Sequence, residues 1–307
     1  MNYPDIFFTQ EYQELFKDTA FGGDPCYFTF AGIDYRFYKR QIEETPFVDI
    51  VSPYGYSGPV AIGENAKSLI LPWVAFLKEF HSYCLENNII AEFARLHPFL
   101  SNDAPLGGHY EHEVFYIDLT LSLDEIWVGY DKGCKSAIKK AHHSLTVIET
   151  QSSQLLAEFN RLYYQTMTRL GAKAGYIFDC QKFPLGRWVN LVCALDDEKM
   201  IAGALILYCG DYAHYFLSAS LPNNLGATNM VIDRAIIWAK AQGCKGFNLG
   251  GGLKIGDKLE SFKRSFTKLS KPFYTYRKIH NQEVYNDLCK VKGIDPKSDG
   301  YFPAYRR

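Results

Sequence analysis

The sequence predicts a mixed α/β protein made of two domains, and three observations predict it. Short apolar or alternating runs recur between amphipathic helical stretches along the whole chain, the pattern of sheets with helices laid on them. The length of 307 residues suits roughly two domains, at about 100–200 residues each. A content of 47% hydrophobic and 22% charged residues belongs to a globular chain that buries a large core.

Residues 6–20 read as a short helix, with Phe7, Tyr12, Leu15 and Phe16 apolar among Glu and Lys. Residues 27–30 and 35–38 alternate like two strands joined at Gly32-Ile33-Asp34. Asp49-Ile50-Val51 is a strand that runs into a Gly/Pro/Ser-rich loop carrying Tyr54 and Tyr56. Ser57 in that loop is no hydrolase nucleophile elbow, because Pro59 stands where the second glycine belongs. Helical periodicity follows over 66–87 through Leu69, Trp73, Phe76, Phe80 and Cys84, and Asn87-Asn88 stops it. Residues 89–96 and 114–119 are strands, and Ser122 with Glu125 forms a capping box that opens a helix. Further on, Lys132, Lys135 and Lys139 line a cationic helix face whose plain account is a solvated surface and whose sharper one is a phosphate contact.

The second half repeats the alternation. Ser153–Arg169 is helical, 187–195 is a strand, and 201–209 with 212–220 make a hairpin over Gly210-Asp211. A Gly-Ala loop at 226–227 leads into a helix over 228–242, whose first turn offers unpaired N–H groups to an anion or a carbonyl oxygen. A strand at 247–249, another at 273–276 and a helix around 282–290 close the chain.

Composition excludes several classes. A net charge of −1 rules out a polycation that holds DNA by bulk electrostatics, so an anionic ligand needs a local patch. No apolar run approaches the ~20 residues of a membrane span, so membrane contact is at most peripheral. The first residues lack the basic and apolar regions of a secretion signal. Eight scattered cysteines without a CxxC pair read as buried reduced thiols, which points to the cytoplasm. His109-Tyr110-Glu111-His112-Glu113 has no second cluster to complete a metal site and is placed in a loop before a strand, so no metal is expected.

The organising stretch is Gly246-Phe247-Asn248-Leu249-Gly250-Gly251-Gly252 followed by Gly256-Asp257-Lys258-Leu259-Glu260-Ser261-Phe262-Lys263-Arg264-Ser265-Phe266. It reads as a strand ending in an open glycine loop, then a turn of helix that packs Phe262 and Phe266 at i, i+4 and leaves Lys263 pinned beside them. It is not a dinucleotide fingerprint, since Ile255 stands where the third glycine would, and no Gly-Lys-Ser/Thr follows to make a Walker loop.

Asn248-Leu249-Gly250-Gly251-Gly252 followed by Leu259-x-x-Phe262-Lys263-x-x-Phe266 resembles the Fem-type aminoacyltransferases and their FemAB-like relatives, within the GNAT N-acyltransferase superfamily. The loop Ser52-Pro53-Tyr54-Gly55-Tyr56-Ser57-Gly58-Pro59, the helix Lys135-x-x-Ile138-Lys139-Lys140-Ala141 and the closing Phe302-Pro303-Ala304-Tyr305-Arg306 are similar to elements of the same proteins. The resemblance implies two tandem GNAT-like domains with mixed sheets, expected at 1–145 and 146–307, the second carrying the glycine and Phe-Lys segments. It implies transfer of an acyl or aminoacyl group to an amine of a cell-envelope precursor or polysaccharide. It also implies no permanently bound cofactor, aminoacyl-tRNA or acyl-CoA as the donor, and the tRNA acceptor end as the one nucleic-acid partner. Lys263 matches the family's functional lysine. Two departures stand out: the coiled-coil arm of some Fem proteins is missing, and 223–227 is a poor version of the GNAT pyrophosphate signature.

Acyl transfer needs donors aimed at the developing oxyanion, and the expected sources are backbone N–H groups at Gly250 and Gly251 or at Gly226 and Thr228, with Lys263 neutralising charge. Asn248 and Asp257 flank the glycine loop as substrate-binding candidates. Tyr54 and Tyr56 are candidates for lining the acceptor pocket, and Arg36, Lys135 and Lys139 for phosphates. The general base stays open among Asp118, Glu92 and Asp257. Two competing readings are an acyl-CoA-dependent N-acetyltransferase acting on an amino sugar or small amine, and an inactive scaffold of the same fold.

Overall fold

The computed structural model describes residues 3–62, 70–101, 106–224, 226–298 and 300–307. Its first elements are α1 (Gln10–Phe16), β1 (Asp24–Phe30), β2 (Ile33–Gln41), β3 (Val48–Val51), β4 (Val60–Ala61), α2 (Ile70–Glu86) and β5 (Ile89–Arg95). Then come β6 (His109–Asp118), α3 (Leu123–Gly129), α4 (Lys132–His142), β7 (Thr146–Thr150), α5 (Ser153–Arg169), β8 (Val189–Asp196), β9 (Lys199–Cys209) and β10 (Tyr212–Ser220). The last are α6 (Ala227–Ala241), β11 (Gly246–Gly250), α7 (Lys258–Arg264), β12 (Ser270–Ile279) and α8 (Gln282–Val291). Leu69 of the predicted 66–87 helix, and position 225 of the 223–227 loop, lie outside the described residues.

The chain forms two compact units, and they do not divide at 145/146. The first comprises Met1–Ile6 and His112–Lys271, the second Phe7–Glu111 and Pro272–Arg307. Strand pairing is the physical reason. β12 pairs antiparallel with β5, so the last segment completes the sheet of the second unit. β6 pairs antiparallel with β11, so it belongs with the strand that carries the glycine loop.

Each unit repeats one plan. In the second, β1, β2 and β3 form an antiparallel meander, α2 follows, and β5 returns parallel to β3 with β12 antiparallel beside it. In the first, β8, β9 and β10 form the meander, α6 follows, and β11 returns parallel to β10 with β6 antiparallel beside it. β7 adds an edge strand next to β8. The parallel pair in each unit requires a crossover, and the helix between its strands supplies it.

In the first unit, β8 is a nearly continuous buried run because helices cover both faces of its sheet. One face packs Ile138 and Ala141 of α4 and Met230, Ala235 and Ile236 of α6 into a core with Phe247 and Leu249. The core of the second unit is aromatic, with Tyr35, Phe37, Phe76 and Phe80 all fully or nearly buried. The expected capping box is present, Glu125 N–H on Ser122 Oγ at 3.2 Å and Ser122 N–H on the Glu125 carboxylate at 2.8 Å. His109–Glu113 departs from expectation, because β6 already begins at His109 and makes this stretch strand rather than loop. All eight cysteines are free thiols, most of them buried.

Candidate functional site

The site begins where two parallel strands stop pairing. β10 and β11 are in register only from Tyr212↔Gly246 to His214↔Asn248. Beyond that, β10 shifts register between Tyr215 and Leu217, and β11 ends at Gly250. Asn248 ends it: buried at 2% exposure, its Oδ1 accepts the Gly250 N–H at 2.8 Å, a local side-chain turn that competes with the strand ladder. Gly250 then takes φ +73°, which only glycine adopts freely. Gly251 is required for a different reason. A Cβ there would sit 2.3 Å from His112 Cδ2 and 2.6 Å from the Glu113 carbonyl oxygen, so the backbone passes flush against β6.

Asp257 closes the loop. One carboxylate oxygen caps α7 through Glu260 N–H at 2.7 Å, and the other accepts Leu253 N–H at 2.7 Å and Lys254 N–H at 3.0 Å. These bonds, that of Glu260 first, hold its carboxyl below the usual range. Glu260 reaches back to Gly256 N–H at 2.7 Å and pairs with Arg264 at 2.9 Å, and those two contacts likewise lower its pKa. The short helix so fixed packs Phe262 against Phe266, with ring centroids 5.5 Å apart. Phe266 is buried and in turn meets Tyr130 at 5.3 Å.

Lys263 is thereby turned inward. It is 8% exposed, and its Nζ donates to the Gly251 carbonyl at 2.7 Å. Burial pushes its pKa down to about 8, against a smaller upward pull from Asp257. At neutral pH the side chain is still mainly an ammonium, and an ammonium carries three donors. One is on Gly251; among the described residues the other two are uncommitted. Arg264, next in sequence, goes elsewhere, over the Phe115 ring at 5.0 Å.

Under this bend lies a second polar layer that the sequence reading did not name. Asn248 Nδ2 meets His214 Nδ1 at 3.2 Å, and His214 Nε2 meets Asp5 Oδ2 at 2.7 Å. Asp5 and His214 are separated by about two-thirds of the chain, and neither sits in a motif, so no local signal pointed to them.

The other expected residues fall into three places. Gly226 is the N-cap of α6, at φ +85° and with no side-chain cap, and a Cβ on it would lie 2.6 Å from the Ala137 carbonyl of α4. Thr228 Oγ1 accepts from Asn224 Nδ2 at 3.0 Å, which shapes the entry to the helix. Lys139 is exposed on α4, whereas Lys135 Nζ binds the Val128 carbonyl at 2.9 Å and caps the end of α3. Tyr54, Tyr56 and Arg36 belong to the second unit. Tyr54 stacks on Phe16 at 5.6 Å, Tyr56 meets Phe7 edge-on at 5.3 Å, and Arg36 Nε donates to the Phe8 carbonyl at 2.9 Å under a guanidinium–Tyr27 contact.

Two chemical expectations change. The Gly250 N–H is already bonded to Asn248, so it is not a spare oxyanion donor, whereas Lys263 keeps two donors uncommitted among the described residues. Among the base candidates, Asp257 is a cap, Asp118 accepts Thr120 N–H at 2.9 Å, and Glu92 pairs with His280 at 3.2 Å in the second unit.

Residues 140–264 match the family model for the acetyltransferase (GNAT) domain. That stretch is similar to a GNAT acetyltransferase domain. The match spans α5 through α7, and with them Gly226, Thr228, Asn248, Gly250, Gly251, Asp257 and Lys263. Among solved structures, FemX superposes with a TM-score of 0.67 at 12% identity, over 90% of this chain and 97% of that one. L-PGS from Bacillus licheniformis gives 0.58 at 13% identity over 95% and 98%. The C-terminal domain of a putative lysylphosphatidylglycerol synthetase from Agrobacterium fabrum gives 0.56 at 16% identity over 91% of each chain. These likenesses extend the GNAT-like fold from the matched domain to both units. No curated protein matches this chain. No helix among the described residues is long and apolar enough to cross a membrane.

Proposed function

We propose that the GNAT domain of this protein is an N-acyltransferase of FemAB-like type, which moves an acyl or aminoacyl group onto an amine of a cell-envelope precursor or polysaccharide. The observation that carries this reading is the buried Lys263 ammonium, held on Gly251 at the point where β10 and β11 part. Attack of an amine on an acyl carbonyl builds negative charge on the carbonyl oxygen. A fixed cation in a water-poor site stabilises that charge, by about 3–4 kcal/mol if it acts as other oxyanion donors do. A buried ammonium costs stability when it serves nothing, which speaks against an inactive scaffold.

The donor carries phosphate in either version of the reading. The first turn of α6 has no side-chain cap, and exposed Lys139 lies on α4, the helix whose Ala137 backbone touches Gly226. The match to a GNAT acetyltransferase model favours acyl-CoA over aminoacyl-tRNA.

The deciding experiment incubates the protein with acetyl-CoA, a longer acyl-CoA and aminoacyl-tRNA against a panel of amino sugars and amines, and reads products by mass spectrometry. Binding is followed in parallel by thermal shift. An N-acylated product, with stabilisation of several degrees by its donor, is expected. No product from any donor class overturns the reading.

A further inference from the structure

We propose that Asp5 and His214 are positioning residues of the Lys263 site: with Asn248 they form a buried relay that holds the Gly250 N–H, and with it the bend through Gly251, so that the Gly251 carbonyl meets the Lys263 ammonium. The inference rests on the acyltransferase reading of that site.

The relay lies wholly within the first unit, and Asp5, His214 and Asn248 are exposed by 0%, 2% and 2%. The N-terminal segment delivers Asp5 by running along the turn between β9 and β10. The Tyr3 carbonyl accepts from Cys209 Sγ at 4.0 Å, and the Pro4 carbonyl fills the space that a Cβ on Gly210 would need, at 2.7 Å. Each link then dictates the next. The Asp5 carboxylate only accepts, so the proton between it and His214 at 2.7 Å sits on Nε2. A neutral imidazole protonated at Nε2 presents a lone pair at Nδ1. That lone pair calls for the NH2 end of Asn248 at 3.2 Å, which turns Asn248 Oδ1 the other way, onto Gly250 N–H at 2.8 Å. With the Gly250 N–H held and its φ at +73°, the bend presents the carbonyl of the following residue, Gly251, which Lys263 binds at 2.7 Å.

An apolar pair of similar volume would fill the space under β10 without desolvating a carboxylate. It would leave the Asn248 amide free to rotate by a half-turn, which sets an NH2 group against the Gly250 N–H and releases the bend. The relay therefore supplies orientation to the bend, in the way that outer partners orient the ligands of a metal site.

The test uses the full chain. Nitrogen-15 spectra give the His214 tautomer in the wild type at pH 7, and they need no variant to fold. Asp5→Asn and His214→Phe are then compared for Gly250 amide exchange, the Lys263 titration midpoint and melting temperature. The Nε2–H tautomer is expected in the wild type. In both variants Gly250 exchange rises by about tenfold or more, and the Lys263 midpoint moves. In acyl transfer, Asp5→Asn loses about tenfold in kcat with KM kept, as a misplaced group should. An Nδ1–H tautomer or an imidazolium in the wild type overturns the proposal, and so do an unmoved Gly250 exchange and Lys263 midpoint in folded variants. Unchanged kcat in a variant whose Lys263 midpoint has moved overturns the positioning role. The spectroscopic readouts contain no turnover, so failure of the relay and failure of the acyltransferase reading are separately visible.

Discussion

The Lys263 ammonium on which the proposed function rests also carries a cost in stability. Burial lowers its pKa from 10.5 to about 8, which corresponds to a penalty on the order of 3 kcal/mol for keeping it charged in the folded state. The sign follows from proton counting. Between about pH 8 and 10.5 the unfolded chain holds this proton and the folded chain has released it, so stability rises with pH across that window; below about 8 the penalty is fully present. Chemical denaturation of wild type and Lys263→Met should therefore show the variant equal or more stable at pH 7, with its advantage shrinking as pH climbs to 10.5. A difference that stays flat would mean an ordinary solvated lysine. The lysine itself was legible in the sequence, because Phe262 and Phe266 at i, i+4 fix which way the turn between them faces. The roles of Gly250 and Gly251 were not: which backbone N–H is spent and which carbonyl is offered depends on Asn248 and on the approach of His112, neither of which spacing reveals.

Among the elements, α6 and the loop into it make the second sharp claim. Gly226 sits at φ +85° and its missing Cβ lets the helix start touch the Ala137 carbonyl, so two independent constraints act on one position. Gly226→Ala should cost roughly 2 kcal/mol or more from strain and overlap combined, read as a lower denaturation midpoint, and should weaken binding of any phosphate-bearing donor. Retained stability in that variant would show that the helix start is looser than the geometry requires. Helices and strands themselves were largely legible: α5 spans the predicted Ser153–Arg169, and the hairpin turns at Gly210-Asp211 as expected. Periodicity of 3.6 and of 2 reports burial of one face, and these elements bury one face or lie in apolar runs. Lys135 shows where the reading fails. A cationic stripe does not say which of its members will bend back onto a neighbouring helix end, as Lys135 does onto Val128.

Across the whole molecule, two units share a plan, but among the described residues their parallel pairs end differently. In the second unit the loop after β3 continues the pairing, with Ser52 N–H on the Phe93 carbonyl at 2.9 Å and His97 N–H on the Ser57 carbonyl at 3.0 Å. In the first unit pairing stops at His214↔Asn248, and the glycine bend and Lys263 occupy that end. The repeat could not be read as two contiguous halves, because β6 and β12 each complete a sheet far from their neighbours in sequence, and strand exchange leaves no mark on local pattern. What the account stands on is that the transferred group meets the Lys263 ammonium. Turnover of Lys263→Met beside wild type, with the donor that gives product, tests this most directly. A fall of at least about tenfold in kcat with the melting temperature held or raised is predicted, in line with loss of a charge-stabilising donor. Full activity in the folded variant would contradict it.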